Sequence, residues 1–518
     1  MPSTTDPTES PATPWELVER AARLSPAATA VRQGTRTLTF GELADRVRTA
    51  AHRLRTRLPA DGEGTVGLLF ENTLEGTVAF LGALRAGVPL TPLEPDSTES
   101  GLLGVHRDLG PLHLIGHQAR FRTLAGAASP DRWQGGVLVD VRELTAPADA
   151  TARPASLPAP PPDAPALYQY TSGSTGEPRA AVHSQRDLVS GGAVYAHTYA
   201  VTPADRLLAA VPLLHSFGMV AALTTALHAR AELVLLGRFT PAEMVRTMHG
   251  RACTIVVGTP LAYDLAARSA ASWRETSRPG ETVRLCLSSG AALPPEVADR
   301  FTEHCGPAVQ QVYGSTEAGV IAAQVPQPDG RADAGVGKPV RGVRIRLVDE
   351  ADRPVPPGGT GALLVRTPAM FTRYLGHPGA SERTFRDGWY VTGDLARLDG
   401  EGRLHLVGRK DSFVNVGGKK VNPLEVEAVL LAHPGVAEAV VWGEPVEGQA
   451  SERVRAAVVP RSPLSTAAIT AHCRDRLLAH QVPATIACVA SLPKTSLGKI
   501  RRAAVAATAP APHRDEHA

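Results

Sequence analysis

The chain has 518 residues, of which 54 are basic and 51 acidic, giving a net charge of +3. This length is too great for one compact core and predicts two to four domains or lobes, while 43% hydrophobic and 20% charged residues are typical of a soluble globular protein. Charges of both signs are interspersed without a basic stripe, which excludes nucleic acid as a principal partner.

Cysteine usage and the N-terminal composition favour a cytoplasmic protein. The five cysteines are scattered and include no CxxC pair, which favours reduced thiols over a disulfide framework. The polar residues 1–14 lack the apolar segment of a secretory signal. The uncharged stretch 207–227 is long enough to cross a membrane, but the proline, histidine, serine and glycine near its centre favour a buried strand, a turn and a helix. We therefore expect no membrane span.

The first predicted elements alternate between helix and strand. Residues 1–12 are expected to form a disordered tail, and Thr39 with Glu42 forms a capping-box pattern that predicts the start of an amphipathic helix. Buried strands are predicted over 65–70 and 88–93, on either side of a helix over 75–86. This order implies parallel sheets covered by helices.

The later elements continue this pattern and then change. An Ala/Pro-rich linker precedes a strand over 166–170, and from Gly335 shorter alternating strands indicate a small β-rich lobe. After Asp411 the pattern is α+β. We therefore predict an α/β protein: a large N-terminal domain of helix-flanked sheets with a small β-rich lobe, followed by an α+β C-terminal domain. The further predicted strands cover 232–236, 254–257, 283–287, 343–348, 361–366, 436–442 and 454–459, and the C-terminal helices cover 423–431 and 465–479.

A loop rich in glycine and hydroxyl side chains follows the strand that ends at Tyr170. Its backbone N–H groups, its hydroxyls and the Arg179 guanidinium can all turn toward one anion. Taken alone, the loop fits a polyphosphate cradle and a flexible linker equally well. Its spacing differs from a Walker A loop, in which a lysine and a hydroxyl directly follow the last glycine. The candidate phosphate-binding residues are Thr171, Ser172, Gly173, Ser174, Thr175 and Gly176.

The segment Val312-Tyr-Gly-Ser-Thr-Glu317 follows a predicted short strand over 309–313. Thr316 and Glu317 would project from the carboxyl end of this strand, where open α/β sheets bind ligands. Thr316 could then bond a phosphate oxygen, and Glu317 could hold Mg²⁺, which prefers carboxylate oxygens. A helix start, with Thr316 as its cap, fits the same residues.

Two charged turns and a lysine complete the candidate set. Asp394 follows a predicted strand and a glycine and is placed to accept both hydroxyls of a ribose, which Arg409 could also reach. Considered in isolation, Asp394 and Asp411 are better explained as turn or cap residues. Lys499, beside a glycine near the C-terminus, is in isolation a typical solvated surface cation.

Together, and in this order, these segments resemble the motifs of the adenylate-forming superfamily: acyl-CoA and aryl-CoA synthetases, adenylation domains of nonribosomal peptide synthetases, and luciferases. The resemblance runs from Leu38 to about Arg502 and is strongest to a stand-alone acyl- or aryl-CoA ligase. The matching segments are the phosphate loop 171–179, Tyr-Gly-x-Thr-Glu at 313–317, Thr-Gly-Asp at 392–394, the hinge motif at 408–411, the glycine-rich segment 416–427 and Pro-Lys-Thr-x-x-Gly-Lys at 493–499.

The resemblance implies ATP and Mg²⁺ as cofactors and CoA as the acceptor. A carboxylate attacks the α-phosphate of ATP to give acyl-AMP and pyrophosphate, and the acyl group then passes to a thiol. By position, Lys499 bridges carboxylate and phosphate oxygens, Glu317 binds Mg²⁺ and Thr316 binds the α-phosphate. The remaining implied nucleotide contacts are Arg179 at the phosphates, Asp394 and Arg409 at the ribose, and Gly290, Ala291, Ala292, Tyr313 and Gly314.

The resemblance also implies a rearrangement between the two half-reactions. Residues 13–410 would form the domain that binds ATP and the acid, residues 411–503 a mobile domain that carries Lys499, and residues 504–518 a tail. Rotation about Asp411 would withdraw Lys499 and bring the segment of Gly417, Gly418 and Lys419 to the thiol.

The chain departs from the family's pattern at Arg179-Ala180, where Lys-Gly is usual. Because arginine keeps the charge but is bulkier, we expect altered pyrophosphate handling with activity retained.

The segment Pro212–Gly218 resembles the acid-pocket lining of CoA ligases. Amino-acid-activating members usually hold the substrate ammonium with an aspartate near here, and 207–227 has no acidic residue, so an aryl or aliphatic acid is favoured. His215 and Phe217 could face either the acid or the thiol tunnel, and His215 fits a buried core histidine equally well. The candidate pocket residues are His215, Phe217, Gly218 and Ser289.

Other functions stay open at this point. No carrier-protein domain is recognisable in the chain, so the thiol belongs to CoA or to a separate carrier protein, and an amine acceptor is a further alternative. The joint presence of Lys499, Glu317 and Asp394 argues against a non-enzymatic binding module. A hydrolase has little support, because no GxSxG motif occurs.

Overall fold

The computed structural model describes residues 11–59, 64–122, 132–133, 136–148, 157–171, 179–250, 252–272, 281–327, 333–409, 413–416, 419–446, 451–495 and 499–508. By its contacts the chain divides into two compact units. Unit 1 combines Met1–Ile345 with Val365–Tyr390, and unit 2 combines Arg346–Leu364 with Val391–Ala518.

Helices occur throughout both units. Among the described residues the α-helices are α1 (Pro14–Leu24), α2 (Phe40–Arg57), α3 (Leu74–Ala86), α4 (Glu99–Leu109), α5 (Gln118–Phe121), α6 (Val141–Thr145), α7 (Gln185–Thr198), α8 (Thr225–Ala229), α9 (Pro241–Gly250), α10 (Pro260–Ala270), α11 (Pro295–His304), α12 (Pro378–Thr384), α13 (Pro423–Leu431), α14 (Thr466–Arg474) and α15 (Arg502–Thr508), and a π-helix covers Gly218–Thr224.

The strands lie between these helices and are mostly short. Those in the described residues are β1 (Thr29–Gln33), β2 (Arg36–Thr39), β3 (Thr65–Leu69), β4 (Leu90–Leu93), β5 (Leu112–Gly116), β6 (Arg132–Trp133), β7 (Gly136–Asp140), β8 (Pro165–Thr171), β9 (Arg179–Ser184), β10 (Arg206–Ala210), β11 (Glu232–Leu235), β12 (Ile255–Gly258), β13 (Leu285–Ser288), β14 (Val309–Ser315), β15 (Gly319–Ala323), β16 (Lys338–Pro339), β17 (Arg344–Val348), β18 (Gly361–Arg366), β19 (Arg373–Tyr374), β20 (Phe385–Arg386), β21 (Trp389–Leu398), β22 (Leu404–Arg409), β23 (Val414–Val416), β24 (Lys419–Val421), β25 (Val436–Pro445), β26 (Glu452–Pro460) and β27 (Thr485–Cys488).

Helix α2 begins where the sequence predicts. Thr39 Oγ1 accepts a hydrogen bond from the Glu42 backbone N–H at 3.2 Å, and the Glu42 carboxylate accepts one from the Thr39 N–H at 2.8 Å. This reciprocal pair satisfies two N–H groups that the first turn leaves without partners. The buried face of α2 then packs against α3.

The larger sheet of unit 1 has nine strands in the order β16-β15-β14-β13-β12-β10-β11-β1-β2. Within this sheet the neighbouring strands β14, β13, β12, β10, β11 and β1 pair in parallel. β12 and β13 are entirely buried, which explains their unbroken apolar runs. On one face, Tyr263 of α10 and Phe301 of α11 pack edge to face with ring centroids 4.8 Å apart.

The second sheet of unit 1 has eight strands in the order β19-β9-β8-β4-β3-β5-β7-β6. β3 pairs in parallel with β4 and β5, whereas β8 and β9 form an antiparallel pair whose last partners are Thr171 and Arg179. The predicted phosphate loop therefore joins β8 to β9. Its residues Ser172, Gly173, Ser174, Thr175 and Gly176 lie outside the described residues.

Unit 2 is built around the sheet β25-β26-β27. Because side chains alternate along a strand, Val441 faces a core that includes Val426 and Leu430 of α13, and Val440 faces a smaller cluster with Leu492 and Val505. The strand pair β23-β24 packs near this sheet. A further sheet has the order β17-β18-β21-β20, with β22 on β21.

The predicted fold class is confirmed, and three local expectations need correction. α14 ends at Arg474, because residues 475–479 are turns and loop where a helix over 465–479 is predicted. Residues 504–508, which are predicted to belong to a C-terminal tail, lie in α15, and Val505 is 4% exposed. β14 continues to Ser315, two residues beyond the predicted end of the strand.

The five cysteines are free thiols, four of them buried and Cys488 exposed. In the part of the chain that the structure describes, no helix combines the length and apolar character needed to traverse a bilayer.

Candidate functional site

The predicted Thr316-Glu317 motif forms a tight hairpin turn between β14 and β15. Ser315 pairs with Gly319, and the Ser315 hydroxyl accepts a hydrogen bond from the Ala318 N–H at 3.1 Å. Glycine is required at 314, because a Cβ atom there would overlap the carbonyl oxygen of Gly319. The alternative of a helix start is therefore wrong, and the turn presents Thr316 and Glu317 at the carboxyl end of β14.

Glu317 is held at its backbone and at one carboxylate oxygen. The Phe371 N–H donates to the Glu317 carbonyl at 2.7 Å, and the Tyr374 hydroxyl donates to Glu317 Oε1 at 2.8 Å. Burial, together with the negative charge of Glu317, raises the pKa of Tyr374 far above its usual value. Tyr374 therefore stays protonated and remains a donor at neutral pH.

Arg179 reaches the same tyrosine from the end of the β8–β9 hairpin. Its guanidinium carbon lies 5.8 Å from the centroid of the Tyr374 ring, within the range of a cation–π contact. The Thr171 hydroxyl donates to the Arg179 carbonyl at 3.4 Å and closes the base of the phosphate loop. Arg179, Tyr374 and Glu317 thus form a continuous chain of contacts in unit 1.

Thr316 links this chain to the predicted acid-pocket segment. Its hydroxyl lies 3.4 Å from that of Ser216, and its backbone hydrogen-bonds the imidazole of His183. Burial lowers the pKa of His183 to about 4, although this hydrogen bond acts in the other direction. The imidazole is therefore neutral at pH 7 and supports the turn without adding charge.

The acid-pocket segment Pro212–Gly218 is shaped by the amide of Asn72. Asn72 Oδ1 accepts from the Leu213 N–H at 2.8 Å, and its Nδ2 donates to the Val211 carbonyl at 3.0 Å. Only glycine fits at 218, because a Cβ atom would overlap the carbonyl oxygen of Pro212. The segment is consequently a defined turn after β10.

His215 lies in this turn beside an acidic residue that is distant in sequence. Its Nε2 atom is 3.7 Å from Glu94 Oε1, and burial lowers the pKa of His215 to about 4. The predicted alternative of a core histidine is thus partly correct, since the ring is mostly buried. It also contacts Glu94, which follows β4 on the second sheet of unit 1.

Phe217 and Gly218 lead directly into the π-helix. The Phe217 ring lies 6.5 Å from the ring of Tyr195 on α7, and the Thr225 hydroxyl donates to the Val220 carbonyl at 2.7 Å. Single π-helical turns are frequent at functional sites. Within this π-helix the segment Met219–Leu223 is almost fully buried and entirely apolar.

The predicted residues Ser289, Gly290, Ala291 and Ala292 directly follow β13. Because Ser288 pairs with Gln311 of β14, the residues after β13 lie beside Tyr313 at one edge of the nine-stranded sheet. Gln311 fixes this loop by accepting a hydrogen bond from the Leu293 N–H at 3.1 Å. The carboxyl edge of this sheet thus gathers the predicted nucleotide contacts that follow β13 and those at the end of β14.

Asp394 and Arg409 are direct partners in unit 2. They pair across β21 and β22, and Arg409 Nε lies 3.6 Å from Asp394 Oδ1. Asp394 lies within β21, whereas the sequence predicts it beyond a strand end. The Thr392 hydroxyl accepts a hydrogen bond from the Asp394 N–H at 3.0 Å, which fixes the backbone at this position.

Lys499 is exposed, and it lies at one described end of a hairpin of unit 2 whose two ends are paired. The backbones of Lys494 and Ile500 form an isolated antiparallel β-bridge, and the Thr495 N–H donates to the Lys499 carbonyl at 2.8 Å. Lys494 Nζ lies 2.8 Å from Glu438 Oε2.

Arg502, just after this hairpin, bonds both carboxylate oxygens of Glu427, at 2.7 and 2.8 Å. Lys419 is exposed on β24. Asp411, Gly417 and Gly418 lie outside the described residues.

Sequence reasoning missed several residues that hold this site together. Asn72 and Glu94 follow buried strands, so their position at the carboxyl ends of β3 and β4 was a usable signal. Tyr374 and His183 carry no such signal, because only the folded sheet brings them to Glu317 and Thr316.

The Glu317 carboxylate is the candidate magnesium ligand. Within the described ranges there is no cluster of three or more metal-binding side chains, and Glu317 Oε2 makes no hydrogen bond. Mg²⁺ is commonly held by one or two carboxylates together with substrate phosphates and waters. One carboxylate with an available oxygen, connected through Tyr374 to the cation Arg179, fits that pattern.

Comparison with known proteins identifies the family. Residues 18–375 match the AMP-binding enzyme family, and residues 425–499 match the AMP-binding enzyme C-terminal domain. The chain is 31% identical to oxalate–CoA ligase of Arabidopsis thaliana, over 95% of this chain and 97% of that protein. It is 32% identical to feruloyl-CoA synthase of an Amycolatopsis species, over 94% and 97%.

Solved structures give the same result. ATP-bound MatB from Rhodopseudomonas palustris superposes with a TM-score of 0.83 at 26% identity, covering 94% of this chain and 97% of that one. The anthranilate CoA ligase AuaEII in complex with anthranoyl-AMP gives 0.83 at 25% identity, covering 97% and 98%. The chain therefore belongs to the AMP-binding enzyme family and is an AMP-forming acid–thiol ligase.

Proposed function

We propose that this ligase activates an aryl or aliphatic carboxylic acid that carries no second charge and transfers it to CoA. The observation that carries the choice of acid is the acid-pocket segment with the π-helix. The π-helical part is largely apolar and buried, the preceding turn is partly buried and carries no acidic or basic residue except His215, and the His215 imidazole is neutral at pH 7 because burial lowers its pKa to about 4. A second carboxylate would find no cation in this segment and would lie near the carboxylate of Glu94.

The roles of the site residues in unit 1 are part of this proposal. Glu317 Oε2 would bind Mg²⁺, which neutralises phosphate charge, while the Thr316 hydroxyl would donate to the α-phosphate. Arg179 would complete the phosphate loop with a fixed positive charge. The displacement at phosphorus spreads negative charge over oxygens, so preorganised donors and cations at this position accelerate it.

The proposed roles in unit 2 follow the two half-reactions. Asp394 would accept the ribose hydroxyls, with Arg409 beside it, and Lys499 would stabilise the reacting carboxylate and phosphate oxygens. Asp411 would act as the hinge, and the segment 417–419 would lie on the thiol side. Support comes from the direct Asp394–Arg409 pairing and from the exposure of Lys499 on a closed hairpin.

A second candidate substrate is an acid that bears an amino group. Glu94 supports this candidate. The segment 207–227 has no acidic residue of its own, but the folded chain brings Glu94 Oε1 to within 3.7 Å of His215 Nε2. A substrate ammonium would find a counter-charge there. A separate carrier protein or an amine remains the alternative acceptor to CoA.

The test is pyrophosphate release with ATP and Mg²⁺ against matched acids. The panel contains benzoates, cinnamates, fatty acids, aminobenzoates, α-amino acids and short dicarboxylates, each with CoA, with a phosphopantetheinylated carrier protein or with neither. We expect turnover with an uncharged aryl or aliphatic acid and stimulation by CoA. Turnover restricted to a dicarboxylate would contradict the proposed substrate class, and stimulation by the carrier protein alone would contradict CoA as acceptor.

A further inference from the structure

Tyr374 connects the two charged residues of the unit 1 site. Its hydroxyl donates to Glu317 Oε1 at 2.8 Å, and its ring face lies against the Arg179 guanidinium at 5.8 Å. We propose that Tyr374 is a positioning residue that orients Glu317 and Arg179 for binding a magnesium nucleotide. This inference rests on the metal-binding role proposed above for Glu317.

The tyrosine is itself held firmly in place. Tyr374 pairs with Ala181 across β19 and β9, two residues from Arg179. Its N–H donates to the Ser381 hydroxyl at 2.9 Å, and its ring packs 4.8 Å from that of Phe371. With the residue 7% exposed, the hydroxyl is presented from a fixed position.

A donor on one carboxylate oxygen decides how Glu317 faces the metal. The terminal torsion of a glutamate is broad, so backbone anchoring alone does not orient the carboxylate plane. The Phe371 N–H fixes the Glu317 backbone, and the Tyr374 hydroxyl then selects which oxygen is turned inward. Oε2 is left for the metal. A hydrogen-bond partner of this kind orients a metal ligand and so affects metal affinity, although it does not itself contact the metal.

The ring face performs the second task. A guanidinium that stacks on an aromatic ring has fewer accessible side-chain conformations, and it keeps its positive charge. Arg179 occupies a position where the family usually has lysine, which would stack less well. The Tyr374 ring therefore accounts for how an arginine can be accommodated at the end of the phosphate loop.

The experiment measures nucleotide binding without turnover. A non-hydrolysable ATP analogue is titrated calorimetrically into the full-length protein with Mg²⁺ and again with EDTA, and the ratio of the two affinities is the magnesium-dependent gain. In Tyr374→Phe the ring and its contact with Arg179 remain, but the hydroxyl is lost. We expect the gain to fall about 10-fold, because removal of a partner of a metal ligand typically costs this much. The affinity in EDTA should stay within about 2-fold of wild type, since the ring is retained.

Tyr199→Phe is the matched control. Tyr199 is 5% exposed, and its hydroxyl donates to the Gln324 carbonyl at 3.0 Å, away from Glu317. Tyr199→Phe should lower Tm about as much as Tyr374→Phe does, but it should leave the magnesium-dependent gain unchanged. An equal loss of gain in both variants would assign the effect to general destabilisation and overturn the inference.

Glu317→Gln, measured in parallel, separates the inference from the function on which it rests. If Glu317→Gln keeps the wild-type gain, the proposed metal role of Glu317 is wrong. If Glu317→Gln loses the gain and Tyr374→Phe keeps it, only the positioning role is wrong. A larger gain in Tyr374→Phe would show that the hydroxyl competes with the metal and would also contradict the proposal.

Discussion

The Glu317 turn of unit 1 and the Lys499 hairpin of unit 2 hold their candidate catalytic side chains in opposite ways. Glu317 is fixed at its backbone and at carboxylate oxygen Oε1 by residues with buried rings, which leaves Oε2 without a hydrogen bond from the described part of the chain. Lys499 is exposed, and its hairpin is tied down by ion pairs of the flanking residues Lys494 and Arg502. A metal ligand benefits from a fixed geometry. A lysine that is proposed to act in only one of the two half-reactions benefits from an exposed position on a firmly anchored base.

The largest effect is expected from Lys499→Ala. Loss of a charge that stabilises the developing negative oxygens should lower the rate of adenylation by roughly 10²- to 10³-fold. Thioester formation from supplied acyl-AMP should stay near the wild-type rate, because the proposed role of Lys499 is confined to the first step. The two rates are measured separately by ATP–pyrophosphate exchange and by acyl-CoA formation. Equal loss of both would contradict the assignment.

A smaller loss is expected when the charge of Arg179 is removed. Arg179→Ala should reduce kcat/KM for ATP by about 10- to 100-fold, since a hydrogen bond to a charged group contributes about 1.5–3 kcal/mol. Arg179→Lys keeps the charge and should lose less than about 10-fold. Steady-state kinetics with varied ATP and pyrophosphate test this order. If the lysine variant is as impaired as the alanine variant, the contact with the Tyr374 ring outweighs the charge.

The Glu427–Arg502 pair tests whether the base of the Lys499 hairpin matters. Burial raises the pKa of Glu427, while Arg502 opposes that shift. Glu427→Gln weakens the anchor and should lower adenylation by about 10-fold, as expected for a misplaced catalytic group. Thioester formation from supplied acyl-AMP should fall less.

Glu444→Gln is the matched control for this variant. Glu444 pairs with Arg455 in the same unit, away from the hairpin. It should affect both half-reactions equally and weakly. If Glu427→Gln behaves in the same way, the pair serves stability alone.

The smallest effect on catalysis is expected from removing the ion pair between Asp205 and Arg284, which lies outside the candidate site. Burial opposes the charged form of Asp205, but hydrogen bonds from Arg284, Thr202 and Thr254 outweigh it and lower the pKa of Asp205 to about 2. A carboxyl whose pKa is lower in the folded state stabilises the protein above its unfolded pKa and loses that contribution as the pH falls toward 2.

Asp205→Asn should therefore lower Tm at pH 7 by roughly 2–4 °C. The difference from wild type should shrink below about pH 4, because protonation removes the same charge in the wild-type protein. Thermal unfolding at pH 7 and pH 3 checks this, and kcat at pH 7 should stay unchanged. A Tm difference that is the same at both pH values would contradict the linkage.

The sequence predicted the elements and the motif residues better than the contacts between them. Local chemistry sufficed for the cap at Thr39, for the five strands β10 to β14 of the large sheet and for the position of Glu317 after β14, because each depends on neighbouring residues. The hairpin after Ser315 could not be told from a helix start, since turn and cap residues are alike. Tyr374 could not be predicted at all, because it reaches Glu317 only after β19 pairs with β9. Glu94 was missed for the same reason, as it comes from the second sheet.

The central claim is that a carboxylate attacks the α-phosphate of ATP and that the acyl group then leaves to a thiol. It is tested most directly with an acid that the panel shows to be a substrate, labelled with ¹⁸O in its carboxylate, incubated with ATP, Mg²⁺ and CoA. Because the attacking oxygen stays on phosphorus when the thiol takes the acyl group, the account predicts one ¹⁸O atom in the AMP formed, with unlabelled pyrophosphate. Label in orthophosphate together with ADP, or no label in AMP, would contradict it.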